Sequence, residues 1–236
     1  MKLFAKGFVN SFALDARGIW SRVRGAIPYE YLPESLAEIR DGVSAERLRP
    51  YLAATHDLAA AIRLYERNTA LSEALYCPLQ GVEIATRNAL HLTLTGTFGA
   101  TWFDALGTPT LHHEQLEKLT TARAQLQRRG VPITAGRMVA ELSFGFWSAI
   151  CARRYLVLLW NPCLHRAFPK RRREDVFNRL DSIRTLRNRV AHHEPIWTRD
   201  LAADHDKIIE AIRWICPISA EWVANKSRLK EQLAAG

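Results

Sequence analysis

An arginine, an asparagine and two histidines stand close together in the segment Leu186-Arg-Asn-Arg-Val-Ala-His-His193. Its candidate catalytic residues are Arg187, Asn188 and His192. An arginine can hold the charge of a phosphoryl transition state through fixed N–H donors, and a histidine can move protons near neutral pH. An asparagine can orient a phosphate. These residue types suit cleavage of RNA without a metal ion, in which a 2′-hydroxyl attacks the adjacent phosphate.

The spacing of these residues is typical of an amphipathic helix over 175–193. Arg184, Asn188 and His192 follow one another at four-residue intervals and share one strip of that helix. Arg187 and His192 diverge by roughly 140° on an ideal helix, so a frayed end or a second copy of the chain must bring them together. The structural alternative is a helix end capped by histidine, with the arginine at the edge of the core.

Four further residues are candidate supports of this site: Arg184, on the same strip as Asn188, and His193, Glu83 and Arg87. His193 could act as a partner base, and a solvated neighbour of His192 is the equally plain interpretation. Glu83 and Arg87 lie one turn apart on another predicted helix, which by itself favours an ordinary ion pair between them.

The positive charge of the chain is concentrated in its second half. Residues 1–120 hold 12 Lys and Arg against 13 Asp and Glu, a net charge of −1. Residues 121–236 hold 21 against 11, a net charge of +10, so the whole excess of +9 comes from this half. Such asymmetry favours a partner that is a polyanion, such as RNA. The candidate RNA-binding residues are Lys170, Arg171, Arg172, Arg173 and Arg189. For the run from Lys170 to Arg173, a solvated charged loop is the alternative.

The elements that must position these residues are helices, because alternation at period two is scarce and apolar residues recur at helical spacing. We predict an all-α fold with an N-terminal extension over 1–43 and one domain over 44–236. Ser44 and Thr134 are predicted helix caps. The predicted helices span 57–95 (bent at Pro78), 113–129, 136–152, 155–167, 175–193, 201–215 and 218–233.

Composition excludes several classes of protein. There is no apolar run of about 18 residues, so we expect no membrane span, and Tyr155-Leu-Val-Leu-Leu-Trp160 suits a buried helix instead. The N-terminus does not resemble a signal peptide, and the four cysteines form no Cys-x-x-Cys pair. We therefore expect free thiols, a cytoplasmic protein and no metal or cofactor.

Three segments together resemble one known family. Leu186-Arg-Asn-Arg-Val-Ala-His-His193 resembles the signature of the Abi-like (abortive infection) proteins in the HEPN superfamily. Leu142-Ser-Phe-Gly-Phe-Trp147 is similar to their "LSFG" segment, and Tyr65-Glu-Arg-Asn68 through Glu83-Ile-Ala-Thr-Arg-Asn88 is similar to their first long helices. The resemblance covers about residues 45 to 215.

The resemblance implies a HEPN-type helical bundle with extra peripheral helices, and a homodimer that joins two Arg/His motifs in one cleft. It implies an endoribonuclease of antiphage defence, with Arg187 and His192 catalytic and Asn188 supporting. The helix of Glu83 and Arg87 would add a polar residue to the cleft. An RNA or protein antitoxin, or a phage-derived trigger, would control the enzyme. Some members only bind RNA or a partner protein, so an inactive binding module is the alternative.

Overall fold

The structure is a computed structural model that describes residues 12–14, 20–22, 31–107 and 110–235. Its fold is all-α, as predicted, apart from one pair of three-residue strands. The chain divides into two compact units, residues 1–62 and 63–236. The predicted boundary at 43/44 instead separates two helices inside the first unit.

The first unit contains a short antiparallel strand pair and two helices. Strand β1 (Phe12–Leu14) pairs with β2 (Trp20–Arg22), and helix α1 (Pro33–Val43) packs against α2 (Ala45–Thr55). The hydroxyl of Ser44 accepts a hydrogen bond from the Arg47 amide, which confirms the predicted cap. Such a cap satisfies one of the backbone donors that a helix start leaves open.

Helix α3 (Leu58–Phe98) begins in the first unit and supplies the second with its longest element. It continues through Pro78, although proline removes one backbone donor from the helical ladder. Gly81 provides a close approach on this helix, because a Cβ atom there would lie 2.7 Å from a methyl group of Val223.

The remaining helices belong to the second unit. They are α4 (Trp102–Ala105), α5 (His113–Arg128), α6 (Ala135–Glu141), α7 (Phe144–Ala149), α8 (Arg173–Ala191), α9 (Leu201–Ile215), α10 (Pro217–Lys226) and α11 (Leu229–Ala234). Helix α8 packs against α7 on one side and α9 on the other. Its buried face carries Val176, Leu180, Ile183 and Leu186, as the amphipathic pattern predicts.

The segment over 142–147 forms a compact aromatic knot in the core. Phe146 and Trp147 are fully buried, and both rings contact the ring of Trp102 from α4. The four described cysteines are free, as predicted, and burial raises the pKa of the Cys151 thiol to about 12. No described helix is both long and apolar enough to cross a membrane.

Three predicted helices are wrong in their continuity. The one over 136–152 is split into α6 and α7, because Leu142 and Ser143 are extended; Thr134 does cap α6. The one over 218–233 breaks before α11. The one over 155–167 is replaced by two 3₁₀ turns and a single π-helical turn, Leu156–Trp160.

The apolar run in that π-helical turn is not a buried helix. Leu156, Val157 and Leu158 are 37%, 70% and 41% exposed, whereas Leu159 is fully buried. Only the end of the run packs into the core, because a π turn places its residues differently around the axis than an α-helix does.

We predict that Gly81→Ala lowers the free energy of unfolding by about 1–3 kcal/mol, because the added methyl group would be too close to the side chain of Val223. The matched control is Gly96→Ala on the same helix, where a Cβ atom meets nothing within 4 Å. That change should stabilise the protein by up to about 1 kcal/mol through helix propensity. Urea unfolding of both variants decides the matter, and equal stabilisation by the two would contradict the close approach.

Candidate functional site

A cleft of about 660 Å³ lies between α3 and the C-terminal end of α8. Helix α3 supplies one wall through residues that recur every three or four positions and so share one stripe. Helix α8 and the turn after it supply the other wall. The lining residues are Thr69, Ser72, Glu73, Tyr76, Leu79, Gln80, Glu83, Ile84, Arg87, Arg187, Val190, Ala191 and His193.

The end of α8 is a left-handed turn at His193. The last helical residue is Ala191, His192 is the half-helical cap, and His193 has a φ of 55°. The His193 amide donates to the carbonyl of Val190 at 3.1 Å, and the Glu194 amide donates to the carbonyl of Arg189 at 2.8 Å. This pair of bonds is the Schellman arrangement, in which glycine is the usual left-handed residue.

The turn separates the two adjacent histidines. Both are exposed, but only His193 lines the cleft with Arg187. His192, the predicted catalytic histidine, lies outside the residues that line it. The angle that an ideal helix sets between the side chains of Arg187 and a following histidine therefore does not apply to His193. That residue lies after the end of α8, and its backbone is left-handed.

Arg187 reaches from α8 toward a carboxylate on α3. Its Nε lies 3.5 Å from Oε2 of Glu83, and the two side chains are 38% and 23% exposed. A guanidinium has five N–H donors, so a carboxylate near Nε leaves its Nη groups to bind an anion. Those Nη groups make no hydrogen bond to any described residue.

The expected ion pair between Glu83 and Arg87 does not form within the described chain, because Glu83 turns to Arg187 instead. Arg87 still lines the cleft, and its Nε is buried without a hydrogen-bond partner among the described residues. A buried N–H without a hydrogen-bond partner is unfavourable.

The other predicted site residues on α8 lie outside the cleft. Arg184 is held by Asp181 through two hydrogen bonds of 2.9 and 2.7 Å. Asn188 is half-buried, and its carbonyl accepts the His192 amide within the helix. Arg189 places its Nε 3.6 Å from a carboxylate oxygen of Glu194.

The basic run before α8 divides between structural and exposed roles. The Arg171 guanidinium lies 4.9 Å from the ring centroid of Trp214, a cation–π contact. Arg173 donates to the carbonyl of Cys151 at 3.1 Å. Lys170 and Arg172 are exposed. In this run, Lys170 and Arg172 are therefore the two residues whose charged groups make no such contact with another described residue.

Sequence reasoning missed most of the α3 wall. Thr69, Ser72, Tyr76 and Gln80 line the cleft, and Tyr76 is 66% exposed although it is aromatic. The signal that could have found them is the polar stripe at helical spacing that ends at Glu83 and Arg87. Glu73, on the same stripe, pairs with Arg228 at 2.8 Å.

No group of three or more metal-binding side chains occurs in the part of the chain that the structure describes. Comparison with protein-family models, curated proteins and solved structures finds no match to this chain. The resemblance to Abi-like proteins therefore stays a prediction from the three sequence segments.

We predict that His193→Gly stabilises the protein, because a left-handed backbone is unfavourable by about 1 kcal/mol or more for any residue with a Cβ atom. A gain of that size raises the midpoint of thermal unfolding by roughly 2–4 °C in a chain of this length. The matched control is His192→Gly, where φ is −92° and no such relief is available. A lower midpoint for His193→Gly than for His192→Gly would contradict this account of the turn.

Proposed function

We propose that this chain is a metal-independent endoribonuclease and that the cleft between α3 and α8 is its active site. The observation that carries the proposal is that Arg187, which pairs with Glu83, and His193 line one cleft. The proposal replaces His192 by His193 as the catalytic histidine and keeps the chemistry expected from the sequence.

In the proposed reaction, the neutral imidazole of His193 takes the proton of a ribose 2′-hydroxyl. The 2′-oxygen attacks the adjacent phosphorus, and the bond from phosphorus to the 5′-oxygen of the next nucleotide breaks. A proton is delivered to that leaving oxygen by a second acid. The products are a 2′,3′-cyclic phosphate and a 5′-hydroxyl, and no oxidant, reductant or metal ion enters the balance.

Arg187 would stabilise the extra negative charge that builds on the phosphoryl oxygens. Fixed donors that face a developing charge are the strongest single contribution in many enzymes, since they need no reorganisation during the reaction. The carboxylate of Glu83 lies near Nε of Arg187, and Arg87 brings a second cation to the cleft from the α3 wall. The cleft volume lies in the range of sites that hold small molecules, which suits one or two nucleotides.

A homodimer would complete this site. Each chain brings one imidazole, from His193, to its own cleft, whereas the reaction uses a base and an acid. A second copy of the chain would supply the second imidazole if the two clefts faced each other. Tyr76 and Ile84, which are 66% and 38% exposed beside the cleft, give its rim the apolar character that such an interface needs.

The biological role follows from the resemblance of Leu186-Arg-Asn-Arg-Val-Ala-His-His193 to Abi-like proteins. An unregulated ribonuclease would damage its own cell, so we place it in antiphage defence under an antitoxin or a phage-derived trigger. The excess of basic residues after position 120 agrees with RNA as the substrate.

We predict that the purified chain cuts single-stranded RNA in the presence of EDTA and leaves cyclic phosphate ends. Arg187→Ala should reduce the rate by about 100–1000-fold, because it removes the donors to the transition state. His193→Ala should reduce it by about 100–10,000-fold. The rate of cleavage of end-labelled RNA, and phosphatase treatment before and after acid opening of the cyclic phosphate, measure both claims.

Two variants and one substrate serve as controls for this prediction. Arg184→Ala removes an arginine from the same helix but outside the cleft, and His192→Ala removes the neighbouring imidazole; both should keep most of the rate. RNA with 2′-O-methyl groups should stay intact, because it lacks the nucleophile. If His192→Ala is inactive and His193→Ala is active, the assignment of the histidine is wrong. A chain that binds RNA but never cuts it indicates the binding module.

We predict that Tyr76→Glu weakens self-association at least tenfold, because a charge in a packed interface is poorly compensated (about 1.4 kcal/mol for each tenfold change). Leu92→Glu is the matched control, since Leu92 is 68% exposed on the same helix but does not line the cleft. Sedimentation velocity over a range of concentrations measures the dissociation constant. A dimer that tolerates Tyr76→Glu and fails with Leu92→Glu would place the interface elsewhere.

A further inference from the structure

Asn68 on α3 is a buried polar residue that binds the chain just after the histidines. The residue is 3% exposed. Oδ1 accepts hydrogen bonds from the amides of Ile196 at 2.7 Å and Trp197 at 3.2 Å, and Nδ2 donates to the carbonyl of Glu194 at 3.4 Å. One side chain therefore satisfies three backbone groups of the segment that leaves the left-handed turn.

Asparagine is the residue that fits this contact by its chemistry. Its amide presents an acceptor and a donor side by side, as a neighbouring strand would. Aspartate keeps the acceptors and loses the donor, and leucine has the size but neither group. The contact to the Ile196 amide is buried, so water does not replace that lost partner, whereas the contacts to Trp197 and Glu194 are half-buried.

The same contact connects the two walls of the cleft. Asn68 precedes Thr69, which lines the cleft on α3, and the bonded segment begins one residue after His193, which lines it opposite. The backbone at His193 is thus held from two sides. The Schellman bonds hold its amide to α8, and the Asn68 amide holds the following residues to α3.

We propose that Asn68 is a positioning residue for the proposed ribonuclease: by binding the backbone at Glu194, Ile196 and Trp197, it holds His193 at the cleft beside Arg187. The inference rests on the proposed function for its effect on rate. Its geometric part, the placement of His193, is independent of any activity.

The rival explanation is that Asn68 stabilises the fold and does nothing for the site. A double-mutant cycle separates the two, because residues that act through one another are not additive. Asn68→Ala should lower kcat for RNA cleavage at least tenfold, with KM changed less than threefold. In the His193→Ala background, the same change should lower the residual kcat less than threefold. An equal loss in both backgrounds overturns the proposal.

Gln115→Ala is the matched control for loss of a buried hydrogen bond. Gln115 is 1% exposed, accepts a 2.6 Å bond from the Tyr155 hydroxyl and does not line the cleft. This variant should lower the midpoint of thermal unfolding as Asn68→Ala does, but it should leave kcat within threefold. A comparable loss of kcat in Gln115→Ala shows that destabilisation alone lowers the rate, and it overturns the proposal.

A second variant and a structural measurement decide the case if Asn68→Ala folds poorly. Asn68→Asp keeps both acceptor contacts, so it should retain slow amide exchange at Ile196 and Trp197 and recover most of kcat. The NMR signals of a labelled His193 imidazole should shift in Asn68→Ala and stay in place in Gln115→Ala. Unchanged His193 signals overturn the placement. A wild-type chain that never cuts RNA overturns the proposed function and the rate effect, whereas the His193 signals still decide the placement.

Discussion

A left-handed backbone at His193 ends α8, and the geometry of the cleft depends on that one residue. If the helix continued, His193 would follow the helical path of Arg187 and Val190, and the chain would run on along α8. Instead, two capping bonds close the turn at Val190 and Arg189, and Pro195 disfavours helix at Glu194. The turn therefore directs the chain back toward α3, where Asn68 receives it.

The charged residues that line the cleft are two glutamates and two arginines, beside His193. Glu83 and Glu73 are the two carboxylates on the α3 wall, and each already faces an arginine that comes from another helix or turn. Glu83 lies at Nε of Arg187, so the guanidinium keeps its Nη donors for a ligand. Arg87, on the same stripe, has no ion pair with a described residue. An oxyanion would thus meet two cations whose nearest carboxylate is already engaged.

The sequence predicts elements well where one periodic face packs on one core. The helices over 113–129 and 201–215 lie within one residue of the observed α5 and α9, and the buried face of α8 is correct. It fails where the chain changes direction inside an apolar segment. Between α6 and α7, Ser143 is the N-cap residue of the second helix, a start signal that the continuous prediction over 136–152 does not use. The π turn at Leu156–Trp160 is likewise a local departure from the 3.6-residue repeat.

For the site, the residue types predict Arg187 and a histidine, and the positions of the partners need the fold. Spacing along a helix relates Glu83 to Arg87, but the structure pairs Glu83 with an arginine more than a hundred residues later. The choice between adjacent histidines depends on a φ angle that no helical wheel contains. Histidine is one of the few side chains that enter the left-handed region with some frequency, so the sequence permits this turn without announcing it.

The backbone strain at His193 is informative because another residue type would adopt the same conformation with less strain. Glycine would form the same turn without the unfavourable contact of a Cβ atom, and it is the usual choice at a Schellman end. A side chain in the left-handed region persists where the surroundings determine it, and such residues cluster at functional sites. Positive φ angles also occur at Ser44, His56 and Lys170, so backbone strain alone does not mark a functional site. What distinguishes His193 is that its left-handed backbone places a histidine in the same cleft as Arg187.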